Sequence, residues 1–91
     1  MEFRLLGPVE IVIEDKPVTI AAPRQQVALA LLLLDAGHVV SVDRMIDATW
    51  GEDPPRTARS QVQITVSALR RLLGESVIVT RLPGYLIRVA P

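Results

Sequence analysis

Thr57 to Leu73 reads TARSQVQITVSALRRLL and Val77 to Val89 reads VIVTRLPGYLIRV, an amphipathic helix pattern with a basic end followed by a hairpin pattern. At about 100° per residue, Val62, Val66, Leu69 and Leu73 fall within roughly 60° of arc, flanked by Ala58, Thr65 and Leu72. That face belongs to a core. The opposite face carries Ser60, Ile64, Ser67 and Arg71, with Gln63 and Ala68 at its margins and Arg70 and Arg59 on the shoulder. Small hydrogen-bonding side chains rimmed by arginine suit a helix in a DNA major groove, where base edges are read and phosphates are held. On the helix alone, an ordinary solvated face explains the pattern equally well. The hairpin favours the first reading. Leu82-Pro83-Gly84-Tyr85 fits a type II turn, proline setting φ at the second position and glycine supplying a positive φ at the third. A two-stranded ribbon following such a helix, with Arg81 beside its tip, reads as a wing.

Upstream, Phe3 to Leu6 and Val9 to Glu14 are short β-rich runs separated by Gly7-Pro8, with Val9, Ile11 and Ile13 on one face. Glu14-Asp15-Lys16-Pro17 reads as a turn and Val18-Thr19-Ile20 as a third strand of an antiparallel meander with one buried side. Pro23 suits the first turn of a helix and Gly37 its C′ position. The apolar surface between them (Val27, Leu29, Leu31 to Leu34) is too wide for one stripe, which predicts a central helix contacted from several sides. His38-Val39-Val40 is short and extended. Ser41 can cap a second helix with Asp43 in its first turn, Val42, Met45, Ile46, Thr49 and Trp50 at helical spacing, and Gly51 at its end. Glu52 to Arg56 is a polar, proline-rich connection, after which Asp53 or Thr57 can cap the third helix. The order of strands, three helices and hairpin predicts an α+β fold, a winged helix-turn-helix.

Ninety-one residues suit one small domain, 1–91, with one core. No cysteine is present, so disulfides, thiolate metal sites and cysteine nucleophiles are excluded. The longest apolar run, Val27 to Leu34, is shorter than the ~20 residues of a membrane span. No export signal is legible at the N-terminus, and a cytoplasmic location is expected. Net charge is zero but segregated: residues 1–53 hold four cations against nine carboxylates, and 54–91 hold six arginines against Glu75 alone. Arginine is the cation whose planar fork grips phosphate oxygens bidentately.

Arg70 and Arg71 read as a phosphate clamp, against the alternative of cations favouring a helix C-terminus. Arg81 reads as a wing contact, against the charge that hairpin tips carry for solubility. Trp50, in phase with Ile46, is expected in the core rather than stacked on a base. His38, the only histidine, has no ligand-forming neighbours at metal-site spacing. Asp43, Asp47, Glu52 and Asp53 form no close acid/base pair. With no phosphate-cradling glycine loop and no Ser-His or Cys-His constellation, neither catalytic site, metal nor cofactor is expected.

The stretches FRLLGPVE from Phe3, APRQQVALALLLLDAGHVVSVDRMIDATWGEDPP from Ala22, TARSQVQITVSALRRLLG from Thr57 and TRLPGYLIRV from Thr80 together resemble the N-terminal DNA-binding domain of the Streptomyces antibiotic regulatory proteins. That family is a branch of the OmpR-type winged helices, and the resemblance covers essentially the whole chain. It implies transcription activation from tandem direct repeats near a promoter, in the control of antibiotic biosynthesis. It further implies base-edge contacts by Gln63, Ile64, Ser67 and Ala68, phosphate contacts by Thr57, Arg59, Arg70 and Arg71, and a wing contact by Arg81. The Gly51 to Arg56 segment, with Glu52, Asp53 and Arg56, matches the loop that faces RNA polymerase, its sigma factor being the expected target. Members often carry arginine where this chain has Ala68, which implies an altered sequence preference. Members also usually continue into a helical bacterial transcriptional activation domain; this sequence stops at Val89-Ala90-Pro91, where that domain would begin, as either an excised domain or a short protein would. A monomer is expected free in solution, with two copies side by side on duplex DNA. The alternative is a winged-helix protein-interaction module whose basic face docks an acidic partner. Steep salt dependence of binding separates the two.

Overall fold

In the computed structural model, which describes residues 9–13 and 16–88, the chain opens with an antiparallel hairpin of β1 (Val9–Ile13) and β2 (Lys16–Ile20). The expected strand at Phe3 to Leu6 and the turn residues Glu14 and Asp15 lie outside the described residues, as do the side chains of Val9, Ile11 and Ile13. The strand expected at Val18 starts earlier, so Lys16 and Pro17 are strand residues, Pro17 opposite Val12. Proline lacks a ladder N–H and is tolerated on an edge strand; among the described residues β2 pairs with β1 alone.

Pro23 occupies the first turn of α1 (Pro23–Leu34). This helix packs against both other helices and the C-terminal sheet, as the width of its apolar surface predicts. Leu29 and Leu32 are fully buried, Ala28 and Leu31 nearly so. Leu33 and Leu34, expected on the contacted surface, are instead half-exposed. The buried Gln26 amide donates from Nε2 to the Ile20 carbonyl at 2.8 Å, which offsets its desolvation and ties β2 to α1. Asp35 is the C-cap, so Gly37 falls one residue beyond the expected C′ site; its φ of 82° still serves the turn, and its N–H donates to the Ile87 carbonyl at 3.0 Å.

Val40–Ser41 forms β3, followed directly by α2 (Val42–Trp50). Ser41 Oγ accepts from the Arg44 N–H at 3.0 Å, the expected N-cap, and Gly51 closes the helix at φ 67°. Met45 is buried, with Val42, Ile46 and Trp50 packed against the core. The third helix, α3, spans Ala58–Leu73, with Ala58, Val62, Val66, Leu69 and Leu73 buried. Each fully buried aliphatic side chain contributes about 1.5–3 kcal/mol. Leu72, placed by phase at the core margin, is 43% exposed.

Strands β4 (Ile78–Arg81) and β5 (Gly84–Ile87) form the hairpin, joined by the two-residue turn Leu82-Pro83. Two features differ from the expected ribbon. The hairpin is part of a three-stranded sheet in the order β3, β5, β4, with Val40 opposite Tyr85 and Ser41 opposite Gly84. The turn is not type II: Gly84 pairs with Arg81 as the first residue of β5, which places proline third in the turn, and Gly84 has no positive φ. Gly84 is needed for another reason. A Cβ there would fall inside contact distance of the Val40 carbonyl oxygen and 2.7 Å from Ser41 Cα. The order of elements and their packing is that of a winged helix-turn-helix, with the hairpin as wing.

Candidate nucleic-acid interface

Burial of the Val62–Val66–Leu69–Leu73 stripe turns the opposite face of α3 outward. Ser60, Gln63, Ile64, Ser67, Ala68 and Arg71 line one shallow depression along that face. Ile64 is 68% exposed, so an aliphatic group stands free among neutral hydrogen-bonding side chains. Such a group can meet a thymine methyl, as amides and hydroxyls meet base edges. The four expected base-edge residues are thus brought together, Ala68 being the least exposed of them. A second groove lies between α3 and the wing, lined by Arg59 and Gln63 on one side and Thr80, Leu82, Pro83, Gly84 and Tyr85 on the other.

The expected phosphate residues separate into two groups. Arg71 is exposed along this depression, with no partner among the described residues. Arg81 is exposed at the wing tip, next to Leu82 at 92% exposure. The other three have partners inside the protein. Arg59 Nη2 donates to Asp43 Oδ1 at 2.6 Å. Thr57, the N-cap of α3 by position, makes no side-chain cap; its Oγ1 accepts from Gln61 Nε2 at 2.9 Å. Gln61 Oε1 in turn accepts from Arg24 Nη1, and the Arg24 guanidinium lies 5.1 Å from the Trp50 ring centroid. Trp50 is half-buried and packs against the core, as its phase predicts. Arg70 is half-buried and turned to the wing. Its Nε donates to the Ile78 carbonyl at 3.0 Å and its Nη2 to Thr80 Oγ1 at 2.8 Å.

Sequence reasoning missed Asp43 and Thr80. Asp43 carries no signal for its pairing, since sixteen residues and a helix boundary separate it from Arg59. For Thr80 a signal exists: strand alternation places it with the buried Ile78 on the side facing α3.

The segment between α2 and α3 is exposed from Gly51 to Thr57. Glu52, Asp53 and Arg56 make no ion pair among the described residues, and Asp53 does not cap α3. Among the described residues no group of three His, Cys, Asp or Glu side chains is placed to hold a metal, and no helix is long and apolar enough to cross a membrane. His38 is exposed.

Residues 16–87 match the family described as "Transcriptional regulatory protein, C terminal". The transcriptional regulatory protein EmbR of Mycobacterium tuberculosis is 38% identical over 95 residues, an alignment covering 98% of this chain. The chain belongs to this family, the OmpR-type winged-helix domains of transcriptional regulators. The regulatory protein AfsR of Streptomyces coelicolor is 36% identical over 88 residues, 97% of this chain. The chain spans 24% of the length of EmbR and 9% of that of AfsR. Its structure superposes on that of Mycobacterium tuberculosis EmbR, solved in complex with a low-affinity phosphopeptide, with a TM-score of 0.81 at 37% identity, covering 94% of this chain and 24% of that one. The C-terminal domain of the nisin resistance regulator NsrR superposes with a TM-score of 0.67 at 23% identity, covering 99% of this chain and all of that one, a likeness of fold alone. The chain is thus a DNA-binding domain of the transcriptional-regulator type, and such domains are not enzymes.

Proposed function

We propose that this domain recognises tandem direct repeats near a promoter in the cytoplasm of a bacterium, one winged-helix domain per repeat, as the DNA-binding module of a transcriptional activator. The observation that carries the reading is the exposed α3 face, on which Gln63, Ile64, Ser67 and Ala68 share one depression with Arg71. A helix about 10–12 Å across fills a major groove about 12 Å wide, so these side chains meet base edges while Arg71 at the rim meets a phosphate. The groove beside α3, lined by Arg59, then faces the phosphate backbone, and the wing residue Arg81 is exposed beside the hairpin tip. Thr57 offers a phosphate contact at the other end of α3 through its backbone N–H or hydroxyl. The exposed loop Glu52 to Arg56 projects to the side of the duplex and serves as the contact with the RNA polymerase sigma factor. The free domain is a monomer, and two copies bind side by side on the DNA. Control of antibiotic biosynthesis genes accords with the family.

Footprinting on promoter fragments, combined with a salt titration, tests the reading. Two adjacent protected sites are expected, with log affinity falling against log salt by about 0.9 for each phosphate neutralised. Weak, salt-insensitive binding without protection overturns it and favours a module that docks a protein.

A further inference from the structure

Arg70 and Arg71 are neighbours in the last turn of α3, yet they point to different surroundings. Arg71 is exposed on the reading face; Arg70 is half-buried and reaches both strands of the wing. Its two hydrogen bonds engage β4, at the Ile78 carbonyl and the Thr80 hydroxyl, and its guanidinium lies 5.7 Å from the centroid of the Tyr85 ring on β5. Thr80 and Tyr85 are cross-strand partners, so two of the three contacts converge on one rung of the hairpin, with Ile78 two residues along the same face of β4. Only a planar fork fits this arrangement: one edge satisfies two acceptors in fixed directions while the face stacks on an aromatic ring.

Other links hold the hairpin elsewhere. The Gly37 N–H bonds Ile87 at its base, and the Val42 N–H bonds the Pro83 carbonyl at its tip at 3.1 Å, joining it to α2. Among the described residues, the hydrogen bonds joining α3 itself to the strands of the wing are those of Arg70.

We infer that Arg70 is a positioning residue that fixes the wing against the recognition helix, so that Arg71 on the helix and Arg81 on the wing meet the DNA backbone as one pre-set unit. The inference rests on the DNA-binding reading above and revises the role of Arg70 within it. Phosphates are spaced rigidly along a duplex, and a cation on a wing free to pivot must be ordered at the moment of binding. With the wing locked, that ordering is complete before DNA arrives.

The test holds charge constant. Arg70→Lys keeps the cation but lacks the fork, and Thr80→Val removes one acceptor with no change of charge. Affinity for a labelled duplex carrying the footprinted site is measured at several salt concentrations, with Arg81→Ala introduced into the native domain and into each variant. In the native domain Arg81→Ala is expected to weaken binding roughly tenfold, as loss of a charged hydrogen bond does. In the Arg70→Lys background the same change should cost at most about threefold, with Thr80→Val between, while the cost of Arg71→Ala stays the same throughout. Equal Arg81→Ala penalties in all backgrounds overturn the inference. So does Arg70→Met lowering the salt slope by about 1 with an undiminished Arg81→Ala penalty, since Arg70 would then be a phosphate contact in its own right. Amide exchange of the DNA-free domain gives an independent arm: residues 78–87 should exchange faster in Arg70→Lys with α1 unchanged. Unaltered exchange overturns the latch even if DNA binding is intact. Failure of the native domain to bind any duplex overturns the DNA-binding reading instead, and exchange still judges whether Arg70 holds the wing.

Discussion

Arg59 of α3 donates through Nη2 to Oδ1 of Asp43, in the first turn of α2, at 2.6 Å. A cation on the side of α3 that lines the groove toward the wing is thus already paired within the protein. The side chains are 66% and 79% exposed, and an exposed pair of this kind contributes about 0–1 kcal/mol. Phosphate can therefore displace the carboxylate. Asp43→Asn is expected to tighten DNA binding about two- to fivefold by freeing Arg59. That gain should vanish when Arg59→Ala is also present. Asp47→Asn removes the same charge from the same helix, where Asp47 makes no ion pair among the described residues, and its smaller effect should be indifferent to Arg59. If the Asp43→Asn gain persists without Arg59, the pair plays no part in binding. The substitution also removes a favourable helix-dipole interaction, so a stability loss of about 0.3–1 kcal/mol should accompany it.

Arg71→Ala tests the rim of the reading face. Because a phosphate contact carries no sequence information, affinity for operator and for random duplex should fall by similar factors, and the salt slope should decrease by about 1. Folding should be unaffected, since Arg71 has no described partner to lose. A titration series with the native slope removes Arg71 from the interface.

Gln63→Ala tests readout. Gln63 lines both the depression on α3 and the groove toward the wing. Its loss should cost about 1–3 kcal/mol on the cognate site and little on random DNA, because a bidentate amide contact discriminates between bases. Comparable losses on both duplexes would assign Gln63 to the backbone.

The helices were legible because their punctuation is local. Pro23, Ser41 with Asp43, and Gly51 act within a turn of the boundaries they set, and the Val62 to Leu73 stripe follows from helical period alone. The outward face of α3 was legible as the complement of that stripe. What escaped depends on how distant elements meet. Arg70 looks like Arg71 in sequence, and only the approach of the hairpin, eight and ten residues on, distinguishes a latch from a solvent-facing cation. The two-residue strand β3 pairs with β5 across more than forty residues, beyond any local pattern. Pro83-Gly84 was misread for the same reason: the local rule assigns the glycine to a positive φ, whereas it is fixed by the backbone of Val40 and Ser41 crossing beside it.

Gly84→Ala follows from that correction. The methyl group would meet the Val40 carbonyl oxygen and Ser41 Cα, both backbone atoms of the strand leading into the α2 cap, so no side-chain rotation relieves it. A loss of at least about 1–3 kcal/mol is expected, the range for overpacking a tight site. Thermal unfolding measures it. A melting temperature within a degree of the native value would mean that β3 and β5 separate at little cost.

Glu52→Ala with Asp53→Ala separates DNA binding from activation. Both side chains are exposed in the segment between α2 and α3, and neither holds a partner among the described residues. Asp53 was a candidate cap for α3, which would have confounded the experiment, but the helix begins at Ala58 with Thr57 at its N-cap position. The double variant should therefore melt within about 0.5 kcal/mol of the native domain, as surface substitutions do. With α3 in the groove, carboxylates beside the duplex are repelled by phosphate, so operator affinity should be unchanged or slightly improved. Transcription in a reconstituted assay should fall if these carboxylates meet basic surface on a sigma factor. That assay needs a regulator able to activate, so the substitutions belong in a protein that carries this domain and activates natively. Native activation by a folded, DNA-binding double variant makes the loop a spacer between helices, and the polymerase contact must then lie on another surface.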